Sequence, residues 1–227
     1  MSWPDPRVLR GTARMLAVRE HVLTAGAEPL GWKAAFGAPS ALAALDLDRP
    51  LVGFLTRDRL LVDGARVDVT GWTRPVLEAE VAAHLSTDLG AARTSAEALA
   101  GVGAWSVAIE LADVDSPPDD IEQILTGNIY HRQVLLGPVV DHRPADLAFR
   151  ILRDGAEVAA TSDPEALTGE LGGVLAAMAT TLAHCGASLS AGDVVITGSV
   201  VPPIDVSGGG SWVVSASGLG EVGVLLA

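Results

Sequence analysis

The stretch PVLEAEVAAHL, Pro75 to Leu85, decides how this chain is read. Glu78 and Glu80 stand two positions apart. A helix would send them to nearly opposite sides, whereas a strand places both on one face, about 7 Å apart along the chain. Read as a strand, Val76, Glu78, Glu80 and Ala82 share one face, and Leu77, Ala79 and Val81 take the other. The second stretch, WSVAIELADVD from Trp105, repeats the design. Trp105, Val107, Ile109 and Leu111 alternate with Ser106, Ala108, Glu110 and Ala112. In both, one face is apolar and the other sets acids among small residues.

Carboxylates on inner strand positions repel one another and are costly to bury. A hard divalent cation offsets both effects, and Mg²⁺, with oxygen ligands at about 2.1 Å, keeps several waters that a substrate can replace. Spacing alone leaves a second reading open, a half-exposed sheet whose glutamates face solvent.

Working outward, LGWKAAFGAP from Leu30 to Pro39 holds Lys33, the single lysine among fourteen arginines. Composition bias against lysine is one explanation. The other is chemical: a buried ammonium can give or take a proton near neutrality, and a guanidinium effectively never does. Lys33, added to three glutamates and one Mg²⁺, brings the total charge to zero.

The bulk properties set bounds. A chain of 227 residues with 49% hydrophobic and 19% charged residues is long enough for a sizeable core and is not disordered in composition. Its net charge of −13 and lack of a basic stripe exclude a phosphate-backbone or anionic-membrane partner. Cys185 stands alone, which points to a reducing cytoplasm and a structural thiol. MSWPDPRVLR lacks the apolar run of a signal peptide, and the apolar stretch from Glu170 to His184 is too short to span a bilayer.

Local signals place the elements. Asp5-Pro6 starts a helix that runs to Gly26, Leu30 to Phe36 is a strand, and Pro39 to Leu45 is a short helix. Val52 to Val69 is strand-like, broken at Asp63-Gly64. Thr94 with Glu97 forms a capping box for a helix ending near Gly101. Asp163-Pro164 is expected to open a helix that reaches His184 and stops at Gly186. The remainder alternates β-branched runs with Gly, Ser and Pro, so strands and turns follow to the end. The class is α+β, a single catalytic domain over 1–227 with a helical segment at about 1–28 and a β-rich body at about 29–227.

Other motifs carry no chemistry. Gly218-Leu219-Gly220-Glu221-Val222-Gly223 matches a dinucleotide fingerprint in letters, but neither helix nor ribose-binding acid follows before Ala227, so a hairpin turn is expected. The acids Asp113, Asp115, Asp119, Asp120 and Glu122 lack the glycine of a calcium loop and contain Pro117-Pro118, which reads as a solvated loop. His21 and His184 fall in helices, and His84 reads as a surface or core histidine.

Taken in order, GWKAAF, PLVGFLTRD, PVLEAEVAAHLSTDL, AIELADVD and LAHCGASLSAGDVVITGSVVPPIDV resemble the 2-keto-4-pentenoate hydratase and 4-oxalocrotonate decarboxylase branch of the fumarylacetoacetate hydrolase superfamily. The resemblance covers about Arg10 to the end. It implies a mixed β-roll or sandwich with flanking helices that assembles into homo-oligomers. It implies Glu78, Glu80 and Glu110 as ligands of Mg²⁺ or Mn²⁺, and Lys33 as the catalytic acid/base or substrate-orienting cation. Asp58 and His131 are further catalytic candidates, and Asn128, Arg132, Thr197 and Ser199 are substrate-binding candidates; His131 can equally serve with Arg132 as a contact for a distal carboxylate, or as a bulky plug. The implied substrate is a small 2-oxo acid and the reaction a hydration. The alternatives are decarboxylation, C–C hydrolysis, or a silent relative serving as a subunit. The sequence departs from the family at Asn128-Ile129-Tyr130-His131-Arg132, where small polar residues are usual, and at Phe36-Gly37-Ala38. Both departures bear on the substrate and leave the metal residues in place.

Overall fold

A computed structural model describes residues 4–90, 94–144 and 146–227. The first three residues of MSWPDPRVLR lie outside them. Helix α1 (Pro6–Thr24) starts as expected, with the Asp5 carboxylate accepting from the Arg7 amide and proline in the first turn. It leads into β1 (Pro29–Ala35), α2 (Pro39–Leu45), β2 (Leu51–Thr56), a 3₁₀ turn at Arg57–Arg59, β3 (Leu60–Leu61) and β4 (Ala65–Val67). Then come β5 (Pro75–Leu85), α3 (Ser95–Ala100), β6 (Val102–Asp113), α4 (Ile121–Thr126) and β7 (His131–Leu136). The chain closes with β8 (Phe149–Arg153), β9 (Ala156–Thr161), α5 (Leu171–His184), β10 (Val194–Ser199), β11 (Ile204–Asp205), β12 (Gly210–Ala216) and β13 (Gly220–Leu226).

Two sheets result. The larger runs β2-β1-β10-β5-β6-β7-β3, with β11 on β5, and the smaller runs β4-β13-β12-β8-β9. Strands β2 and β3 end the large sheet on opposite sides, yet only the turn Arg57–Arg59 separates them in the chain. The sheet is therefore rolled. The roll is lined by Leu30, Leu55, Ala82, Ala108, Val134 and Ile196. The opposite face of β5 and β6, with Leu77, Ala79, Val81, Val107, Ile109 and Leu111, joins α5 and the smaller sheet in one core. Each fully buried leucine there contributes roughly 1.5–3 kcal/mol. The alternation read from the two strands is thus the alternation between roll and core.

Three expectations are corrected. Helix α5 begins at Leu171, not at Asp163-Pro164. Asp163 instead takes the Glu165 amide in a turn, Gly169 follows at φ +87°, and the Glu165 carboxylate accepts the Leu171 amide at 2.9 Å. The segment Val52–Val69 is divided between sheets, since β3 pairs with β7 and β4 with β13. The acidic run is not all loop, because Asp120 caps α4 by accepting from the Glu122 and Gln123 amides. The capping box of α3 and the glycine hairpin between β12 and β13 form as read. No helix among the described residues is long and apolar enough to cross a membrane.

Candidate metal centre

Register builds the site. Strands β5 and β6 run antiparallel with Glu78 opposite Glu110, and β10 sets Ser199 opposite Glu80. The three carboxylates offer oxygens that all lie within 4.8 Å of one another. Glu80 and Glu110 are fully buried, while Glu78 is partly exposed and lines a cavity. Lys33 enters from β1, 1% exposed, and donates from Nζ to Glu110 Oε1 and to the Ile129 carbonyl at 3.2 Å. Its neighbour Trp32 points to the opposite, core face.

Two hydrogen bonds aim the carboxylates. The Gly198 amide donates to Glu80 Oε2 at 2.6 Å, with Gly198 at φ +99°, where a side chain would be strained. His131 Nδ1 lies 2.8 Å from Glu110 Oε1. A carboxylate only accepts, so Nδ1 carries the proton. Burial pushes the His131 pKa down and keeps the imidazole neutral, although its bond to Glu110 pulls the other way.

The remaining oxygens test whether a cation fits. Glu80 Oε1 and Glu110 Oε2 are buried without a hydrogen-bond partner, a costly state unless something positive joins them. Burial and the Glu110 charge push the Glu78 pKa up to about 7, and push Glu80 well above its ordinary value. Glu110 moves the other way; although burial raises its pKa, the Lys33 and His131 contacts outweigh it and hold the carboxyl low. Without a cation, then, one carboxylate takes the charge and two resist it. A clustered set of acceptor-only oxygens with two unsatisfied members is a donor set that suits a hard dication.

Not every expected residue joins this cluster. Ser199 lines the cavity and donates from Oγ to the Val201 carbonyl at 2.6 Å. Four others have their side chains engaged elsewhere. Asp58 sits on the exposed 3₁₀ turn, 3.5 Å from Arg59. Asn128 spends its amide on the Phe54 backbone, accepting at 2.8 Å and donating at 3.0 Å, and so pins the turn before β7 to β2. Arg132 pairs with Asp113 and Asp115 away from the glutamates. Thr197 donates to the Val81 carbonyl. Sequence reasoning gave no role to the Ile129 carbonyl or the Gly198 amide; backbone groups leave no mark in the letters, although Gly198 hints at a special conformation.

Gly53 shows why the lysine fits. It pairs with Lys33 across β1 and β2, and a Cβ there would come within 2.9 Å of Lys33 Cγ and 2.8 Å of Asn128 Oδ1. Asn128, Ile129 and Tyr130 all adopt positive φ, at 54°, 51° and 63°. This turn, rare for β-branched and aromatic residues, delivers the Ile129 carbonyl to Lys33.

A roll whose strands present three glutamates, a buried lysine and a cavity defines a class of protein. The C-terminal fumarylacetoacetate hydrolase family matches residues 14–224, and the chain belongs to it. It is 30% identical to the 2-keto-4-pentenoate hydratase of Burkholderia vietnamiensis over 207 residues, covering 88% of this chain and 78% of that protein. It is 26% identical to a Pseudomonas 4-oxalocrotonate decarboxylase over 89% of this chain and 80% of that one. Among solved structures, 4-oxalocrotonate decarboxylase from Pseudomonas putida G7, complexed with magnesium and adipate, superposes with a TM-score of 0.87 at 21% identity, covering 95% of this chain and 85% of that one.

Proposed function

We propose that this protein is a divalent-metal-dependent lyase that hydrates a small 2-hydroxydienoic acid, the enol form of a 2-oxo acid. The observation that carries the reading is the convergence of Glu78, Glu80 and Glu110, two of them with buried, unpartnered oxygens. The hydratase relative, similar over most of its length, supports the reaction. Glu78, Glu80 and Glu110 would hold Mg²⁺ or Mn²⁺. The bound ion would polarise the 2-oxo group and stabilise negative charge on the C2 oxygen.

The chain's own residues supply the rest. Lys33 has three N–H donors; Glu110 and the Ile129 carbonyl take two, and the side chain lines the cavity with one to spare. That donor serves the C2 oxygen or moves a proton at the adjacent carbons, a role worth roughly 10²–10⁴ in rate. His131 fixes Glu110 through Nδ1–H and so positions both the carboxylate and the lysine. In the balanced reaction, 2-hydroxypenta-2,4-dienoate takes a proton at C5 as its enol hydroxyl gives one up, and water then adds across C3–C4, its oxygen to C4 and its proton to C3, so the net gain is one water and the product is the 4-hydroxy-2-oxo acid. The apolar cavity wall shields the dienol from bulk water. We place the protein, with its solitary Cys185, in a reducing cytoplasm and expect it to work as a homo-oligomer.

A second reading, decarboxylation, draws support from the decarboxylase relative. The test is loss of the 2-hydroxypenta-2,4-dienoate absorbance with Mg²⁺ present, set against CO₂ release from 4-oxalocrotonate. Hydration without CO₂ supports the proposal, and CO₂ release replaces it with the second reading. Inactivity equal to that of Lys33→Ala on both substrates points to a silent subunit.

A further inference from the structure

The cavity above Lys33 and Glu78 has a volume of about 470 Å³. That equals roughly 15 waters of liquid and falls in the range of sites that enclose drug-sized molecules. A five-carbon acid anchored at the glutamates would leave most of it unfilled. The wall beyond the anchor is carbon, from Phe36, Val76, Ala112, Val114, Pro118 and Leu167. Phe36 is held there by a positive φ of 57°. Tyr130 adds its ring, while its hydroxyl donates to the Ser116 carbonyl at 3.2 Å.

Charge tells the same story. Lys33 gives two donors to Glu110 and Ile129, and its third serves the C2 end of the substrate rather than a distal group. The other cation in the lining, Arg74, is exposed, and it shares the lining with the exposed acid Asp205, whose charge a second carboxylate would also meet. A second carboxylate on the substrate would exchange water for this apolar wall without gaining a dedicated partner. A hydrocarbon tail would gain with every methylene buried.

We infer that the site selects 2-oxo acids, or their enols, with an uncharged hydrocarbon tail over acids of equal length ending in a second carboxylate, and that it binds tails of ~four or more carbons beyond C2, branched and aromatic ones included, more tightly than the three-carbon tail of the pentadienoate. The inference rests on the metal-dependent 2-oxo acid reading and deepens it by naming the substrate class.

Calorimetric titration of the Mg²⁺-loaded protein tests it, with oxalate, pyruvate, 2-oxobutanoate, 2-oxohexanoate and 2-oxoadipate as ligands. Oxalate is expected to bind only when Mg²⁺ is present. Affinity should rise about two- to four-fold per methylene from pyruvate to 2-oxohexanoate. The same-length dicarboxylate 2-oxoadipate should bind about ten-fold or more weakly than 2-oxohexanoate. Val114→Phe, and independently Ala41→Phe on α2 at the cavity wall, should erase the length dependence and spare oxalate; two variants guard against one failing to fold. Failure of oxalate to bind removes the functional reading and this inference with it. Oxalate binding with a flat length series overturns the inference alone. So does preference for 2-oxoadipate that Arg74→Ala abolishes, which would make the cavity a receptor for a distal anion.

Discussion

Replacing Gly53 by alanine tests how tightly Lys33 must be held. The backbone of Gly53 lies outside the positive-φ region, so the effect comes from the added methyl alone. That methyl would stand 2.9 Å from Lys33 Cγ, 3.2 Å from Lys33 Cδ and 2.8 Å from Asn128 Oδ1. Carbon–carbon contacts relax at about 3.5–4.0 Å, so the lysine stem must retreat by roughly 0.6–1 Å. It cannot do so freely, because Nζ is tied to Glu110 and Ile129, and Asn128 is tied twice to Phe54. Overpacking of this kind costs about 1–3 kcal/mol of stability, and a displacement near 1 Å in a reacting group costs on the order of 10²-fold in rate. The three glutamates come from β5 and β6 and are untouched. Gly53→Ala should therefore lower kcat about 10²-fold, lower Tm, and leave Mg²⁺ affinity within about three-fold. Steady-state assay, thermal unfolding and Mg²⁺ titration read the three effects separately. Unchanged turnover in a folded Gly53→Ala protein would refute the claim that the lysine must be positioned.

Further outcomes follow from the same geometry. Glu80→Gln keeps the shape but removes a charge, and should lower Mg²⁺ affinity by at least about 10-fold in calorimetry while the fold, followed by circular dichroism, persists. In metal-free protein Glu78 titrates at about 7, raised by burial and by Glu110. Below that pH a bound ion must displace its proton, so Mg²⁺ binding should release more protons at pH 6 than at pH 8, measured in buffers of different ionisation enthalpy. The sign for stability is the reverse of the usual carboxylate case: the folded state holds this proton more firmly than the unfolded chain does. Chelated protein should therefore lose stability from about pH 4.5 to 7, and saturating Mg²⁺ should suppress that loss. His131→Phe removes the bond that orients Glu110 and should reduce kcat more than it raises KM. Asp58→Ala, on the exposed turn, should leave activity within about two-fold.

Much of the site was legible because its signal is local. The alternation of β5 and β6 announces which face carries glutamate, and the solitary Lys33 marks itself by composition. Register then needed only the antiparallel pairing of two strands. What escaped is non-local. The parallel contacts of β1 with β10 and of β3 with β7 join distant segments, and no periodicity encodes them. Asn128, Ile129 and Tyr130 take left-handed conformations that their side chains disfavour, so the letters gave no sign that Asn128 would turn to the β2 backbone or that a carbonyl would reach Lys33. The ion pairs of Arg132 with Asp113 and Asp115 also join separate segments and leave no local mark. The late start of α5 has a local cause, Gly169, which a helix-start signal at Asp163-Pro164 outweighed in the reading.

The measurement closest to the heart of this account is an anomalous diffraction map of crystals soaked in Mn²⁺. The account predicts one strong peak bonded to oxygens of Glu78, Glu80 and Glu110 at about 2.1–2.2 Å, with Lys33 Nζ still on Glu110. An absent peak, or manganese held elsewhere while those three side chains stay as they are, would contradict it.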